Sequence, residues 1–424
     1  MISSLAGLID HSPALLDGGL GTTLEDYVGL DISHSSLWSA QPIVSASEDI
    51  VKAHLLFLHA GAKILSTSTY QCSLETFQAA GFDSDQAKLF MIESVHLAKK
   101  AKVIFETEVT ESDSLQRPIL IVLSLGPFGA ILTPTQEFRG CYPPPYGPRR
   151  YSDNHTNQNS FDQNESEKEH IAIDALTKFH FERLLIFASS TEAWNAVDCL
   201  AFETVPLKRE VTAIRRAIQS LQRRLTEEGR EGEIKPWWVS CVFPDGESPG
   251  DLRPGGPKVQ IDEMLATAFS FEKNELDPLP IPSGFGINCT KPQYLPALAA
   301  TVGRYFKTLP SGASSPWLIL YPNGDDVYDE VTRSWSGKKE GSPDEWGEEI
   351  SKIIVGIMDA EMDFGGIIVG GCCKAGPDHI SSLRSKLLLN QDVLSTCFDE
   401  LSVEPEPILD LNYDQPSLLG LIAL

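Results

Sequence analysis

The chain has 424 residues, 42% of them hydrophobic, and its 34 Lys and Arg against 59 Asp and Glu give a formal net charge of −25. This length and apolar fraction exclude wholesale disorder and allow either two domains or one large barrel with insertions. The acidic balance, with no basic run, excludes a nucleic-acid partner and an anionic membrane surface, because both bind clustered Lys and Arg.

The N-terminus and the apolar stretches bear on location. Met1–Asp10 lacks a cationic start and a long apolar run, and the apolar stretches of the chain are far shorter than the ~20 residues of a membrane helix. The sequence therefore predicts a cytoplasmic protein without a membrane partner. In that compartment the eight cysteines are expected to be reduced thiols, whose possible roles are burial, metal binding and catalysis.

Short apolar runs of β type alternate with longer amphipathic runs. This alternation predicts βαβ units, and eight such units favour closure into an α/β fold of the (β/α)8 TIM-barrel type over an open doubly wound sheet. The predicted strands are Ala14–Leu16, Lys63–Thr67, Ile119–Ser124, Cys199–Glu203, Trp237–Val242, Gly284–Asn288, Trp317–Tyr321 and Gly366–Gly370. The predicted helices are Glu48–Ala60, Ser84–Phe105, Glu169–Ser189, Leu207–Glu227, Asp262–Phe271, Pro292–Tyr305, Asp344–Met358 and Pro377–Leu388.

The excess length lies in loops. We predict one barrel domain over residues 1–424, with its core at about 12–390 and several loop insertions. Residues 142–168 are rich in Pro, Asn and Ser and predict a flexible insertion after the third strand. Residues 403–424, acidic and then apolar, are predicted to be a C-terminal extension.

Three cysteines follow predicted strands at the edge where a barrel carries its active site. Cys289 follows the sixth strand, and Cys372 and Cys373 follow the eighth. Strands six and eight are next-but-one neighbours, so one ion can bridge their ends. Three thiolates favour zinc with a fourth position open, and a centre of net charge −1 suits a substrate thiol held as a thiolate, which indicates alkyl transfer to sulfur. From spacing alone, buried structural thiols are the alternative.

Motifs at these strand ends resemble the homocysteine S-methyltransferase family, in the same order, from about Leu15 to Leu388. They are Asp17-Gly18-Gly19-Leu20-Gly21-Thr22, Thr69-Tyr70-Gln71, Gly126-Pro127-Phe128-Gly129-Ala130, Ala201-Phe202-Glu203-Thr204, Gly286-Ile287-Asn288-Cys289, Tyr321-Pro322-Asn323 and Gly370-Gly371-Cys372-Cys373. The resemblance implies a (β/α)8 barrel with zinc (Zn²⁺) on the three cysteines. It also implies small-molecule substrates: L-homocysteine, which becomes methionine, and S-methylmethionine or S-adenosylmethionine as the methyl donor.

The resemblance further implies residues that bind substrate. Asp17 and Glu203 match positions that bind homocysteine, and its ammonium group is the expected contact for their carboxylates. Thr69 and Asn323 are weaker candidates, and Gly18 would let the backbone approach the ligand. No catalytic residue is expected beyond the zinc centre.

Three other functions are kept as alternatives. One is the same fold with another acceptor or donor, such as selenocysteine or betaine. Another is a zinc-thiolate sensor without turnover. The third, a zinc hydrolase, is disfavoured by the all-thiolate ligands and by the absence of a His base at the strand ends, since His379 is interpreted as a surface or capping residue.

Overall fold

In the computed structural model of the protein, the chain divides into two compact units, Met1–Lys386 and Leu387–Leu424. The structure describes residues 4–10, 12–32, 35, 37–108, 118–270, 277–310, 315–324, 328–329, 334–335, 341–360 and 362–400. Side chains are described up to residue 389, outside 325–340. The predicted extension at 403–424 lies outside the described residues. The single-domain arrangement stays a prediction.

Eight parallel strands form one sheet in Met1–Lys386, in the order β1-β8-β7-β6-β5-β4-β3-β2. β1 and β2 meet at a bridge between Leu16 and Ile64, with hydrogen bonds from Asp17 N to Ile64 O (3.0 Å) and from Lys63 N to Leu15 O (2.9 Å). These contacts complete the ring, so the prediction of a (β/α)8 barrel is confirmed. The strands are β1 (Ala14–Leu15), β2 (Ile64–Ser66), β3 (Leu120–Leu125), β4 (Cys199–Val205), β5 (Trp237–Val242), β6 (Gly284–Asn288), β7 (Trp317–Tyr321) and β8 (Ile367–Val369).

Helices follow the strands as predicted. The main ones are α1 (Ser47–Ala60), α2 (Ser84–Glu108), α3 (Ser166–Ala188), α4 (Lys208–Glu227), α5 (Ile261–Phe269), α6 (Leu295–Phe306), α7 (Pro343–Asp359) and α8 (Pro377–Glu400). Shorter helical segments are Leu5–Leu8, Leu20–Asp26, Trp38–Ala40, Gln41–Ser45, Leu74–Ala79, Phe128–Ile131, Gln163–Glu165, Thr191–Ala196, Glu231–Glu233 and Pro292–Tyr294, and Tyr328–Asp329 pairs antiparallel with Ser334–Trp335. Over the described residues, every helix is too short or too polar to cross a lipid bilayer.

The predicted and observed elements agree closely. The strands β5, β6 and β7 have the predicted bounds, and the other five overlap their predictions. The predicted fifth helix, Asp262–Phe271, ends at Phe269, and residue 271 lies outside the described residues. The agreement arises because continuous apolar runs are required wherever both faces of a parallel sheet are covered.

Inward-facing side chains fill the barrel. Alternate residues of each strand point inward, and on β7 these are Trp317, Ile319 and Tyr321, all buried in one apolar cluster. Leu5 and Ile9 belong to the same cluster. The N-terminal segment therefore packs on the barrel interior at the end where β1 begins.

The insertion at 142–168 is anchored at both ends. Tyr142 and Phe161 are buried, and Asn159 joins two loops through hydrogen bonds to Arg139 O (2.8 Å) and Pro249 O (2.9 Å). Residues 153–157 are exposed, as are residues 144–145, 149–150, 162–164 and 166–168. The predicted flexibility of the insertion stays a prediction.

The interior packing generates a stability prediction. Ile319 is fully buried, so Ile319→Ala should lower the free energy of unfolding by about 2–5 kcal/mol through lost transfer energy and a cavity. Urea unfolding followed by circular dichroism measures the change. Ile171→Ala, at a side chain that is 51% exposed, is the control and should change the value by less than about 0.5 kcal/mol. Equal effects of the two substitutions would contradict this account of the core.

Candidate functional site

Three cysteines meet at the C-terminal ends of β6 and β8. The sulfur atoms of Cys289, Cys372 and Cys373 lie within 4.8 Å of one another. β7 lies between the two strands, as the sequence predicted. The sulfurs come together because parallel strands deliver the residues that follow them to one rim of the barrel.

The C-terminal end of β7 connects the loop that carries Cys289 with the loop that carries Cys372. Cys289 N donates to Tyr321 O (3.2 Å), and Cys372 N donates to Pro322 O (2.7 Å). Cys289 has a left-handed backbone conformation with φ +47°, which is uncommon for a non-glycine residue. The backbone that carries the sulfurs is thus fixed by hydrogen bonds between neighbouring strand ends.

The sulfurs of Cys289 and Cys372 are in contact, and their Cα atoms lie 5.5 Å apart. The sequence predicted reduced thiols at all eight cysteines, and this stays a prediction. An arrangement that can place two thiolates on one ion also lets the two sulfurs pair under oxidising conditions.

The cysteine cluster fits a zinc ion when its members are thiolates. Zinc–sulfur bonds of ~2.3 Å in a tetrahedral site place sulfurs about 3.8 Å apart, and the three sulfurs lie within 4.8 Å of one another. Burial, followed by the charge of Glu137, raises the pKa of the Cys373 thiol to about 12. A bound cation would displace that proton, because coordination favours the thiolate.

The cysteines open into a cavity of about 230 Å³ at the C-terminal mouth of the barrel. Four carboxylic acids line it, and none of the described lining residues is Lys, Arg or His. The cavity therefore suits a cationic ligand. Its lining includes Asp17, Gly18, Gly19, Glu25, Trp38, Ser66, Thr67, Ser68, Tyr70, Gln71, Ser124, Glu137, Phe138, Glu203, Thr204, Cys289, Tyr321, Asn323, Gly371, Cys372 and Cys373.

Asp17 is a buried carboxyl group in this cavity, and Glu203 is a half-buried one. Asp17 accepts hydrogen bonds from Ser66 N (2.7 Å) and Ser66 Oγ (2.9 Å). Burial raises the pKa of Asp17 to about 8 despite these hydrogen bonds, and burial raises the pKa of Glu203 to about 7, partly offset by a hydrogen bond with Ser124. An ammonium group beside them would favour the ionised forms.

Gly18 and Gly19 allow the loop after β1 to pack on the loop after β8. A Cβ atom at Gly18 would overlap Ala375 O, and one at Gly19 would overlap Cys372 O. Gly19 N donates to Ala375 O (3.0 Å). Gly18 lines the cavity as predicted, and its missing side chain is also required by this contact.

The two weaker candidates have different positions. Asn323 lines the cavity, and its Oδ1 is buried without a hydrogen-bond partner among the described residues. Thr69 is absent from the described cavity lining. Its Oγ1 donates to Ser124 O (2.6 Å) and lies 2.6 Å from Thr67 Oγ1, so Thr69 joins β2 to β3 instead of facing a ligand.

Sequence reasoning did not select several lining residues. Tyr70 and Gln71 stand beside Thr69 in the same motif, so that motif carried a signal, whereas Glu137 lies outside the motifs given above. Trp38 begins the short helical segment Trp38–Ala40, whose sequence has no periodic pattern, and offered no signal. His379 is buried, and its Nδ1 accepts from Gly376 N (3.2 Å) at the start of α8, which bears out the capping interpretation.

Comparison with known proteins identifies the family. The sequence profile of homocysteine S-methyltransferase matches residues 14–387. The chain is 28% identical to homocysteine S-methyltransferase 2 of Arabidopsis thaliana, over 88% of this chain and 93% of that one. It is 29% identical to selenocysteine methyltransferase of Astragalus bisulcatus, over 89% of this chain and 93% of that one.

A solved structure agrees with the fold. The metallated form of the Escherichia coli homocysteine methyltransferase MmuM superposes with a TM-score of 0.59 and 23% identity, over 90% of this chain and 99% of that one. Since the family profile spans most of the chain and the fold agrees, the resemblance seen in the motifs is confirmed. The chain belongs to the homocysteine S-methyltransferase family.

Proposed function

We propose that this protein transfers a methyl group from a sulfonium donor, S-methylmethionine or S-adenosylmethionine, to the thiol of L-homocysteine, giving methionine. The observation that carries the proposal is the meeting of three cysteine sulfurs and the carboxyl groups of Asp17 and Glu203 in one cavity whose described lining has no basic side chain. Family membership supports the same reaction.

Cys289, Cys372 and Cys373 would hold the zinc ion. Zinc on three thiolates would keep a substrate thiol ionised and nucleophilic at neutral pH, where a free thiol of pKa ~8.5 is mostly protonated. Cys289 and Cys372, whose sulfurs are in contact, must both be reduced for this. We therefore place the reaction in the cytoplasm, where thiols are kept reduced.

Asp17 and Glu203 would bind the ammonium group of homocysteine. Both line the cavity that holds the cysteines, so they can fix the amino-acid end of the substrate while its sulfur reaches the cluster. Asn323 would offer a polar contact near the sulfur. Thr69 would contribute only indirectly. Its hydroxyl donates to Ser124 O, and Ser124 in turn makes a hydrogen bond with Glu203.

The acidic lining also favours the donor. A sulfonium donor carries a positive charge. When its methyl group moves to the acceptor thiolate, the bond between the donor sulfur and the methyl carbon breaks, and the donor leaves as a neutral thioether. Glu25 and Glu137 add to the negative potential of the cavity, which raises the local concentration of a cation. Positioning the two sulfur centres in a buried cavity supplies the remaining contribution to rate.

Selenocysteine is a second candidate acceptor. The similarity to a selenocysteine methyltransferase, 29% identity, matches the similarity to the homocysteine enzyme, 28%. Like homocysteine, selenocysteine has an ammonium group and a soft nucleophilic atom, so the same cavity would accept it.

A donor-by-donor assay tests the proposed function. Reduced, zinc-loaded protein should form methionine from homocysteine with S-methylmethionine or S-adenosylmethionine and little with betaine, measured by mass spectrometry. Selenocysteine in place of homocysteine tests the second acceptor. If zinc binds but no donor yields a methylated product, the protein is a zinc-thiolate sensor and the proposed activity is wrong.

Removing one thiolate tests the metal centre. Cys372→Ser should reduce bound zinc from about one ion per chain to a small fraction, and methionine formation by about a hundredfold or more, because three thiolate ligands are needed. Elemental analysis measures the zinc. The control is Cys141→Ser, at a buried cysteine outside the described cavity lining, which should keep both. Full activity in metal-free wild type would refute the zinc assignment.

Binding of the product should depend on pH. L-Methionine carries the ammonium group without a thiol, and it binds best when Asp17 and Glu203 are ionised. As pH falls from 8.5 to 6.5, below the pKa of about 8 for Asp17 and through that of about 7 for Glu203, the Kd should rise about tenfold or more.

Calorimetry across this range measures the pH dependence of the Kd. Asp17→Asn should weaken binding at pH 8.5 and flatten the profile, because the neutral amide cannot titrate. A wild-type Kd that is constant from pH 6.5 to 8.5 would contradict the assignment of these carboxyl groups to the ammonium.

A further inference from the structure

The side chain of Asn288 connects two strand ends of the site. Asn288 is the last residue of β6, directly before Cys289, and is fully buried. Its Oδ1 accepts a hydrogen bond from Thr204 N (2.9 Å), and its Nδ2 donates to Thr204 Oγ1 (2.7 Å). The same Nδ2 lies 3.9 Å from Cys372 Sγ. One amide group therefore contacts the end of β4 and the cysteine cluster.

The partners fix the orientation of this amide. Thr204 N can only donate, so it must face Oδ1, and Nδ2 then points to Thr204 Oγ1 and Cys372 Sγ. The two N–H groups of the amide supply one donor for each of these acceptors. The described polar contacts of the Asn288 side chain thus all go to Thr204 or Cys372.

At β4, the amide of Asn288 holds a strained backbone conformation. Thr204 has φ +58°, a conformation that costs free energy for a β-branched residue. The pairing of β4 with β5 also shifts register between Phe202 and Val205. Because Asn288 binds both the backbone and the side chain of Thr204, it stabilises this conformation, which sets the direction of the adjacent Glu203 into the cavity.

At the cysteines, the same amide faces a metal ligand. An N–H group directed at a sulfur stabilises the thiolate over the thiol, and such outer contacts hold a ligand in the geometry that the ion needs. Cys289 itself has φ +47°, so the end of β6 is strained on the side next to Asn288 as well.

We propose that Asn288 is a positioning residue that couples the zinc-binding cysteines to the amino-acid-binding carboxylate of Glu203. It acts through Cys372 and Thr204 and lies outside the described lining of the cavity. This inference rests on the proposed function for the identity of the two ligands. Metal binding and amino-acid binding then depend on one amide group.

The test measures both ligands on reduced protein. Asn288→Ala should weaken zinc, by chelator competition, and L-methionine, by calorimetry on zinc-saturated protein, each by about tenfold. Thr204→Val removes the hydroxyl, which contacts Asn288 Nδ2 and Tyr70, and keeps the contact of Asn288 with Cys372, so it should weaken methionine about fivefold and leave zinc affinity within twofold of wild type. The double variant should bind methionine no more weakly than Asn288→Ala, because the shared hydrogen bond is already absent.

Asn159→Ala is the matched control for loss of a buried amide. Asn159 is buried and makes hydrogen bonds to Arg139 O (2.8 Å), Pro249 O (2.9 Å) and Asp251 N (3.0 Å), outside the described cavity lining. It should lower the melting temperature while both affinities stay within twofold. Equal losses of affinity in Asn159→Ala and Asn288→Ala would show a general folding effect and overturn the inference.

Other outcomes also decide. If folded Asn288→Ala binds both ligands as wild type does, the inference is wrong. If Asn288→Ala does not fold, Asn288→Asp keeps the acceptor for Thr204 N and loses the N–H group toward Cys372, so unchanged zinc affinity in that variant would overturn the inference. Wild-type protein that binds no zinc would instead reject the proposed function, and none of these binding measurements requires turnover.

Discussion

The contact between the loop after β1 and the loop after β8 is the constraint on which the site depends. Gly18 and Gly19 have no Cβ atoms, which lets their backbone approach the other loop closely enough for Gly19 N to donate to Ala375 O (3.0 Å). In return, Gly371 N donates to Asp17 O (3.0 Å). Since β1 and β8 are paired neighbours in the ring, their pairing also places Asp17 beside the loop that carries Cys372 and Cys373.

Burial sets the electrostatics of the cavity. Burial raises the pKa values of Asp17 and Glu203 to about 8 and about 7, so the ligand-free site avoids the cost of two fully charged buried groups near neutral pH. A cationic ligand beside Asp17 and Glu203 would instead favour their ionised forms. Because no described lining residue is basic, the carboxylate of an amino-acid substrate has to be met by neutral donors, the hydroxyl, side-chain amide and backbone N–H groups, which leaves the net attraction for cations intact.

The sequence was sufficient for the strands and for the cysteines but not for the side-chain contacts between strand ends. Apolar runs locate the strands because both faces of the sheet are buried, and cysteines directly after β6 and β8 must then share a rim. Thr69 is absent from the described cavity lining because alternation of side chains stops where β2 ends: Thr69 N donates to Thr67 O (2.8 Å) in a tight turn. Asn288 was overlooked as a site residue because its partner Thr204 is 84 positions away, and such polar pairing leaves no periodic pattern.

The close approach of Cys289 and Cys372 follows from the backbone and not from their chemical state. The N–H groups of both residues are bonded to consecutive carbonyls at the end of β7, Tyr321 O at 3.2 Å and Pro322 O at 2.7 Å. The same backbone therefore brings these sulfurs together whether they are paired or are thiolates on an ion. A ligand set held in this way loses little conformational freedom when a metal binds, and Asn288, on the residue next to Cys289, extends that rigidity to the strand that carries Glu203.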